Sequence, residues 1–346
     1  MRFRLIVAGI LLGACALPEA PTERSMGSVD AEACEATDPR AVEVTVNAQP
    51  DTGPGPLVDL VRSARASIDL SVYLIGTNND VYDALVEKAA EVDVRVIVDG
   101  RSTRQRTLDA LVRAGARART QPEEFVYVRY GPFYHPKFAV VDRQRAWVST
   151  SNLLEPYMSS ERNFDAFDDD PEDVADLQEI FDADWEDRSP DVDCTRLVVS
   201  PDNSRERILA FIDGAASSLL VESMQLADRR VREHLAARAA EGVEVRVILA
   251  NACWIWDNID AATFLAGAGI SARWMSEYDA HVKMMVADGR TAYLGSVNMS
   301  RNSIDRNREV GLILDDPPAL EVMATTFEHD WSVAGADWSA FPEVCR

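Results

Sequence analysis

Two copies of one spaced pattern, H-x-K-x4-D-x6-[GS]-[ST]-x-N, constrain this chain more than any other feature. The first copy is His135, Lys137, Asp142, Ser149, Thr150 and Asn152; the second is His281, Lys283, Asp288, Gly295, Ser296 and Asn298. They lie 146 residues apart with identical internal spacing. Each fixed position is met by chance roughly one time in twenty, so two complete matches are not accidental. Residue usage points the same way. Of only three lysines, Lys88, Lys137 and Lys283, two fall in the pattern, as do two of the four histidines. A chain that otherwise writes arginine keeps a compact ammonium at these two places, and the two cations are not interchangeable.

The duplication extends beyond the motifs. Val92-Asp93-Val94-Arg95-Val96-Ile97 returns as Val243-Glu244-Val245-Arg246-Val247-Ile248, and each copy closes on Asp-Trp, at Asp184-Trp185 and Asp330-Trp331. A period of about 150 residues is far above that of a solenoid repeat, so it indicates two fused domains, 41–193 and 194–346. Apolar periodicity predicts strands over 41–46, 67–75, 92–98, 125–130, 137–141 and 146–149, with helices over 57–66, 81–91 and 104–114. The second copy repeats the plan, with helices over 205–216 and 230–240 and strands over 218–226 and 243–249. Strands alternating with helices predict an α/β fold, each repeat being an α-β-α unit around a mixed sheet.

At these residues the chain resembles the phospholipase D superfamily, whose members set two H-K-D motifs about a pseudo-twofold axis with one active site at the interface. The resemblance covers nearly everything after about residue 41. It implies a phosphodiester substrate and a covalent phosphohistidine, with neither metal nor cofactor. Imidazole chemistry agrees independently, because a pKa near ~6.5 lets one ring be a neutral nucleophile while another is a protonated acid. In the family's assignment one histidine attacks phosphorus, and the other protonates the departing alkoxide and then activates water. In many two-repeat relatives the amino-terminal histidine attacks, which points to His135. The implied catalytic set is His135, Lys137, Asp142, His281, Lys283 and Asp288, with Asp142 and Asp288 bracing the motif rather than touching substrate. Lys137, Lys283, Asn152 and Asn298 would hold the non-bridging oxygens, with Thr150 and Ser296 adding hydroxyl donors. The ring orienters are expected to be the acids after each downstream Asn, Asp165 in Asn163-Phe164-Asp165 and Glu309 in Asn307-Arg308-Glu309. Ser149 departs from the family's usual Gly and Asp165 from its commoner Glu, without removing a needed functional group.

Residues 1–14, MRFRLIVAGILLGA, combine a basic start with an apolar run too short to span a membrane. They resemble a bacterial lipoprotein leader, with Cys15 as the lipidated residue. An ordinary secretory leader is the alternative, and both place the mature protein outside the cytoplasm. Ala16, where an inner-membrane lipoprotein typically has Asp, favours the outer membrane. Residues 15–40, rich in Pro, Glu, Ala and Thr, read as a tether. Cys34, Cys194, Cys253 and Cys345 then leave an even number for disulfides, and the twofold arrangement would bring Cys34 near Cys345. Trp254 and Trp256, just past a strand end, either line an acyl-chain groove, wedge into a bilayer or cap local core. The acidic run from Asp168 to Asp173 reads as a solvated helix N-terminus.

The formal charge of -23 opposes polyanionic substrates, because nucleases draw most of their affinity from cationic contacts to phosphates. The leading expectation is a monomeric phospholipase D-like phosphodiesterase that removes glycerophospholipid headgroups, with transphosphatidylation as an extension, held at a membrane surface by its lipid anchor. An extracytoplasmic nuclease of the same superfamily and a non-catalytic lipoprotein that binds phosphorylated ligands are the alternatives.

Overall fold

Valine- and isoleucine-rich runs such as DVRVIV and EVRVIL, buried at alternate or successive positions, form the central strands of two sheets. The computed structural model describes residues 40–129 and 131–335. The leader, Cys15, Cys34, Cys345, Tyr130 and all but the last residue of the tether therefore lie outside the described residues. The first repeat supplies β1 (Thr45–Gln49), β2 (Ser67–Val72), β3 (Asp93–Val98), β4 (Arg117–Thr120), β5 (Lys137–Val141), β6 (Arg145–Ser149) and β7 (Glu161–Asp168). The second supplies β8 (Val198–Ser200), β9 (Ser218–Ser223), β10 (Glu244–Leu249), β11 (Ser271–Trp274), β12 (Asp279–Ala280), β13 (Lys283–Ala287), β14 (Thr291–Gly295) and β15 (Glu309–Leu314). One sheet runs β1-β7-β6-β5-β2-β3-β4, and the other repeats that order as β8-β15-β14-β13-β9-β10-β11. Both are mixed: β2, β3 and β4 are parallel, as are β9, β10 and β11, and the remaining in-sheet pairs are antiparallel. The short β12 leaves its own repeat and pairs with β7 of the other.

Two expected strands are corrected. The first strand begins at Thr45 rather than residue 41. None forms over 125–129, where Phe125 instead ends a short 3-10 turn, and the edge strand is the arginine-rich β4. The acidic run is a helix N-terminus, but only in part solvated, with Asp169 and Glu172 exposed. Asp168, Asp170 and Asp173 are buried; Asp170 caps the helix Pro171–Trp185, and Asp173 accepts from Arg40 at 2.6 Å and Arg196 at 3.0 Å.

The motif aspartates sit in the turns after β5 and β13, at φ +55° for Asp142 and +56° for Asp288, a left-handed region that Asp tolerates better than most residues. Asp142 accepts from the amides of Arg65, Ala66 and Ser67 at 2.7–3.0 Å, and Asp288 from those of Ala216, Ser217 and Ser218 at 2.7–2.8 Å. These bonds, with the Ser217 hydroxyl, hold the Asp288 carboxyl below its usual range despite partial burial. Each aspartate thus ties the motif hairpin to the loop that feeds β2 or β9, at the far end of the strands from the histidines. Asp288→Ala is expected to lower the unfolding free energy by about 1–3 kcal/mol, as for a lost cap with unpaired amides, while KM for any substrate stays unchanged. Denaturant titration beside steady-state kinetics checks it.

A central apolar core joins the repeats: Phe138, Val148 and Phe164 from one sheet and Met284, Leu294 and Val310 from the other pack with Phe181 and Phe327 of the helices Pro171–Trp185 and Pro317–Val333. The remaining helices cover the outer faces over two further cores. Both repeats belong to one compact unit. Besides Arg196 with Asp173, further buried ion pairs cross between them. Arg162 of β7 binds Asp330 through two nitrogens, at 2.7 and 2.9 Å, and Arg308, one residue before β15, binds Asp184 at 3.1 Å. The Asp-Trp pairs that close each copy thus anchor the opposite copy's arginine.

Candidate active site

Each motif histidine is docked on the other repeat. The His135 amide donates to the carbonyl of Arg308 at 2.9 Å, and the His281 amide to that of Arg162 at 3.2 Å. Both imidazoles therefore reach one pocket of about 740 Å³, lined also by Tyr73, Asn152, Tyr157, Glu161, Trp254 and Asp279.

The rings are backed differently. His135 Nδ1 is bonded to Glu309 Oε2 at 2.7 Å, across the repeats. His281 Nδ1 is bonded to the amide oxygen of Asn163 at 3.0 Å, with Glu161 Oε2 at 3.6 Å. Glu309 is therefore the orienter of the opposite repeat's histidine. Asp165 orients neither ring, against expectation. It lies two residues beyond Asn163 on β7, a displacement of roughly 6.6 Å along a strand. There it accepts from Trp147 Nε1 at 2.9 Å and Gln49 Nε2 at 2.7 Å. The partner geometry explains the exchange: Ser149 pairs with Asp165 where Gly295 pairs with Gly311. In the second repeat a side chain on Gly311 would meet the Tyr293 ring, whereas in the first Asp165 fills the matching space.

Glu161 and Asn163 were missed as functional positions, although the sequence held a signal. The motifs repeat at 146, and the same offset maps Glu161-Arg162-Asn163 onto Asn307-Arg308-Glu309. Glutamate and asparagine have exchanged places around a common arginine. The side chains follow: Asn307 donates to Glu309 at 2.9 Å, and Asn163 to Glu161 at 3.3 Å.

Lys137 and Lys283 are fully buried, each amine donating to the carbonyl of its own motif histidine. Burial pushes Lys137 down to about 7; burial and then the charge of Lys137 push Lys283 well below its ordinary value. Two buried ammoniums at one place is an arrangement that an anion would relieve. The amide oxygens of Asn152 and Asn298 are buried without a partner among the described residues, so both amides can turn to meet a ligand. Thr150 and Ser296 are not available as the expected donors. Thr150 Oγ1 donates to Asn163 at 2.7 Å, Ser296 Oγ to the Val310 carbonyl at 3.2 Å, and each accepts the amide of the facing strand.

Protonation follows the same asymmetry. Burial lowers both histidines, for His135 against the pull of Glu309, and for His281 reinforced by Lys283, Lys137 and His135. Burial would raise Glu309, but His135 and then Lys137 hold it below the usual carboxylate range. For Glu161 burial wins instead, lifting it to about 7 against the pull of Lys283 and the Asn163 hydrogen bond. Trp254 stacks on His281 with ring centroids 6.4 Å apart, and Tyr73 meets His135 edge-on at 4.6 Å. Cys253, beside Trp254, is disulfide-bonded, as is Cys194; the expected Cys34–Cys345 pairing lies outside the described residues.

Known proteins place this geometry. Cardiolipin synthase 2 of Staphylococcus epidermidis is 23% identical over 320 residues, covering 80% of this chain and 66% of the relative. The probable cardiolipin synthase YwiE of Bacillus subtilis is 24% identical over 311 residues, covering 78% and 62%. The chain thus spans just under two thirds of the length of these relatives. In fold it is similar to the phosphatidylserine synthase of Haemophilus influenzae, with a TM-score of 0.64 at 12% identity over 86% of this chain and 89% of that one. The polyphosphate kinase of Porphyromonas gingivalis gives 0.65 at 16% identity over 84% and 50%. The family model described as cardiolipin synthase, PLD-like domain, matches residues 57–185 and 208–331. Since those two segments are the two halves whose histidines meet in one pocket, the chain belongs to that family and through it to the phospholipase D superfamily.

Proposed function

We propose that the chain is a phospholipase D-type phosphodiesterase that removes the headgroup of glycerophospholipids through a phosphohistidine on His135 and passes the phosphatidyl group to water or an alcohol. The unequal backing of the two rings carries this reading. His135 Nδ1 donates to a carboxylate, so Nε2 keeps its lone pair and the positive ring formed on attack is stabilised. His281 Nδ1 donates to an amide, which orients the ring without holding its charge, so a proton on Nε2 leaves more readily. In the free site His281 is neutral; a phosphodiester offsets Lys137 and Lys283 and lets that ring take up a proton, with Glu161 sharing the charge from 3.6 Å.

His135 Nε2 attacks phosphorus, the bond to the headgroup oxygen breaks, and that oxygen takes the proton from His281 Nε2. Water or an alcohol then gives a proton to His281 and attacks phosphorus, the P–N bond breaks, and His135 is released. Lys137, Lys283, Asn152 and Asn298 hold the non-bridging oxygens throughout. Relatives named cardiolipin synthase support a phospholipid substrate. The membrane berth rests on the leader and Cys15 alone, and no helix among the described residues is long and apolar enough to cross a bilayer.

Mixed micelles of phosphatidylcholine or phosphatidylglycerol with added ethanol should yield free headgroup together with phosphatidylethanol. The rate should hold within about twofold in EDTA, since lysine and histidine occupy the places a metal would need as charge carriers. Complete loss on chelation, restored by added metal, would count against the phosphohistidine route.

A further inference from the structure

We propose that the two disulfides are Cys34–Cys194 and Cys253–Cys345. One bond then pins the chain's entry into the first repeat to the junction between the repeats, and the other ties the segment after Gly335 to the lip of the catalytic pocket. This replaces the pairing of Cys34 with Cys345 expected from twofold symmetry, and it holds whatever the substrate.

Cys194 and Cys253 are both disulfide-bonded, and strand direction keeps them from bonding each other. Cys253 lies four residues beyond Leu249, the last residue of β10, and lines the pocket with His281. Cys194 precedes β8, which runs antiparallel to β15: Ser200 meets Glu309 at the pocket end, and Val198 meets Gly311 farther from it. Back from Val198 the chain reaches Arg196, whose guanidinium binds Asp173 at 3.0 Å and also Asp170. Those acids follow β7, whose opposite end, Glu161, lines the pocket. The 8 residues of β7 set its ends about 23 Å apart, whereas the Cα atoms of a disulfide lie within about 7 Å of each other. The two cysteines therefore belong to different bonds.

The chain on either side of the described residues picks the partners. Arg40 Nε donates to Asp173 at 2.6 Å and the Ala41 amide to Asp170 at 2.8 Å, the same two carboxylates that hold Arg196. Cys34, six residues before Arg40, and Cys194, two before Arg196, thus start from one acidic cluster. At the other end, Gly335 and Trp274 exchange backbone hydrogen bonds at 2.9 and 3.4 Å, and Trp274 is in register with Leu249. Cys253 follows from that end of β10, and Cys345 comes ten residues after Gly335, a reach of up to about 33 Å. The reverse assignment would ask six residues before Arg40, about 20 Å when extended, to cover the length of β7 and the pocket lip as well. It would also turn the segment after Gly335 away from the cysteine beside it.

The pairing gives Cys253 a role at the lip. Its loop is held by the Asn251 carbonyl, which accepts from the amides of Trp254 and Ile255 at 2.9 and 3.0 Å, and by Gln225, which donates to Asp257 at 2.6 Å. Trp254 in that loop stacks on His281. A covalent tie at the neighbouring residue fixes this exposed loop, while Cys34–Cys194 acts on the acidic cluster at the far end. Forming each bond removes two electrons and two protons from a thiol pair, by exchange with a disulfide carrier that leaves as its dithiol.

The full chain, produced in an oxidising compartment, is alkylated at free thiols, digested without reductant and mapped. Cross-linked peptides should join Cys34 to Cys194 and Cys253 to Cys345. Any other linkage, including one to Cys15, overturns the proposal. Hydrogen exchange then separates the two roles without needing turnover. Joint Cys253→Ser and Cys345→Ser substitution should speed exchange of amides 253–257 at least tenfold and leave 195–198 unchanged, and joint Cys34→Ser and Cys194→Ser should do the reverse. The same response in both segments, or none in either, overturns the division of roles. Where a substituted pair fails to fold, the map of the unaltered chain decides.

Discussion

Enzyme quenched in acid during turnover of a labelled phosphodiester is expected to carry phosphate on the peptide containing His135 and none on that containing His281. His135→Ala should abolish the adduct and lower turnover by about four orders of magnitude or more, the scale at which loss of an activated nucleophile is felt. His281→Ala should behave differently. An ester whose leaving group needs no proton, such as a 4-nitrophenyl ester, should still phosphorylate His135, and the adduct should then accumulate because no base activates water. On an alkyl ester the same variant should be nearly inert. Label on the His281 peptide of the unaltered enzyme would reverse the assignment and the asymmetry from which it is argued.

The second large effect separates two carboxylates that local sequence made equivalent. Glu309→Gln keeps a hydrogen-bonding group at 2.7 Å from His135 but removes the charge that stabilises its imidazolium. It should lower kcat by about 100- to 1000-fold, or about 3–4 kcal/mol of barrier, with little change in KM. Asp165→Asn should leave kcat within about threefold, because that side chain meets Trp147 and Gln49 rather than a catalytic ring. Its cost should fall on stability, at about 1–3 kcal/mol for a disturbed buried acceptor. Equal losses of kcat in the two variants would contradict the crossed pairing.

The expected and observed features diverge for identifiable reasons. Strands with strong apolar character, such as β3 and β10, were legible because both faces are covered and their letters are nearly all apolar on the inner positions. β4 was not, since it reads Arg-Ala-Arg-Thr; its arginines lie near the Trp185 ring, at 5.7 and 6.0 Å, and use aromatic surface where a hydrophobe would be sought. Apolar periodicity over 125–130 predicted a strand, but Phe125 ends a 3-10 turn and Tyr127 stacks on Phe133 instead. Both motifs were plain from spacing, and so was their convergence once twofold symmetry was assumed. Asp165 was misassigned because it was matched through the local Asn-x-acid pattern instead of the constant offset of the motifs. Periodicity carries no information on which repeat's strand faces which histidine. That follows only from the packing of β12 on β7 and of Tyr134 on Arg308.

The exchanged arginine-aspartate pairs also bear on how the chain comes into being. Arg162 is fully buried and holds Asp330, which follows it by 168 residues. During synthesis the first copy therefore emerges with a guanidinium that has the exposed Asp51 of its own copy at 2.6 Å but not yet the buried carboxylate of Asp330, and burying it half-compensated is costly. The first copy's sheet can form, but its inner face stays open to water until the helix Pro317–Val333 arrives, so closure is a late event shared by both halves. A gene duplication that began with two identical subunits would have had this exchange between separate chains. In such a history, fusion would turn an assembly step, dependent on concentration, into a step in the folding of one polypeptide. Within one chain the two copies are free to differ, as Glu161-Arg162-Asn163 and Asn307-Arg308-Glu309 do.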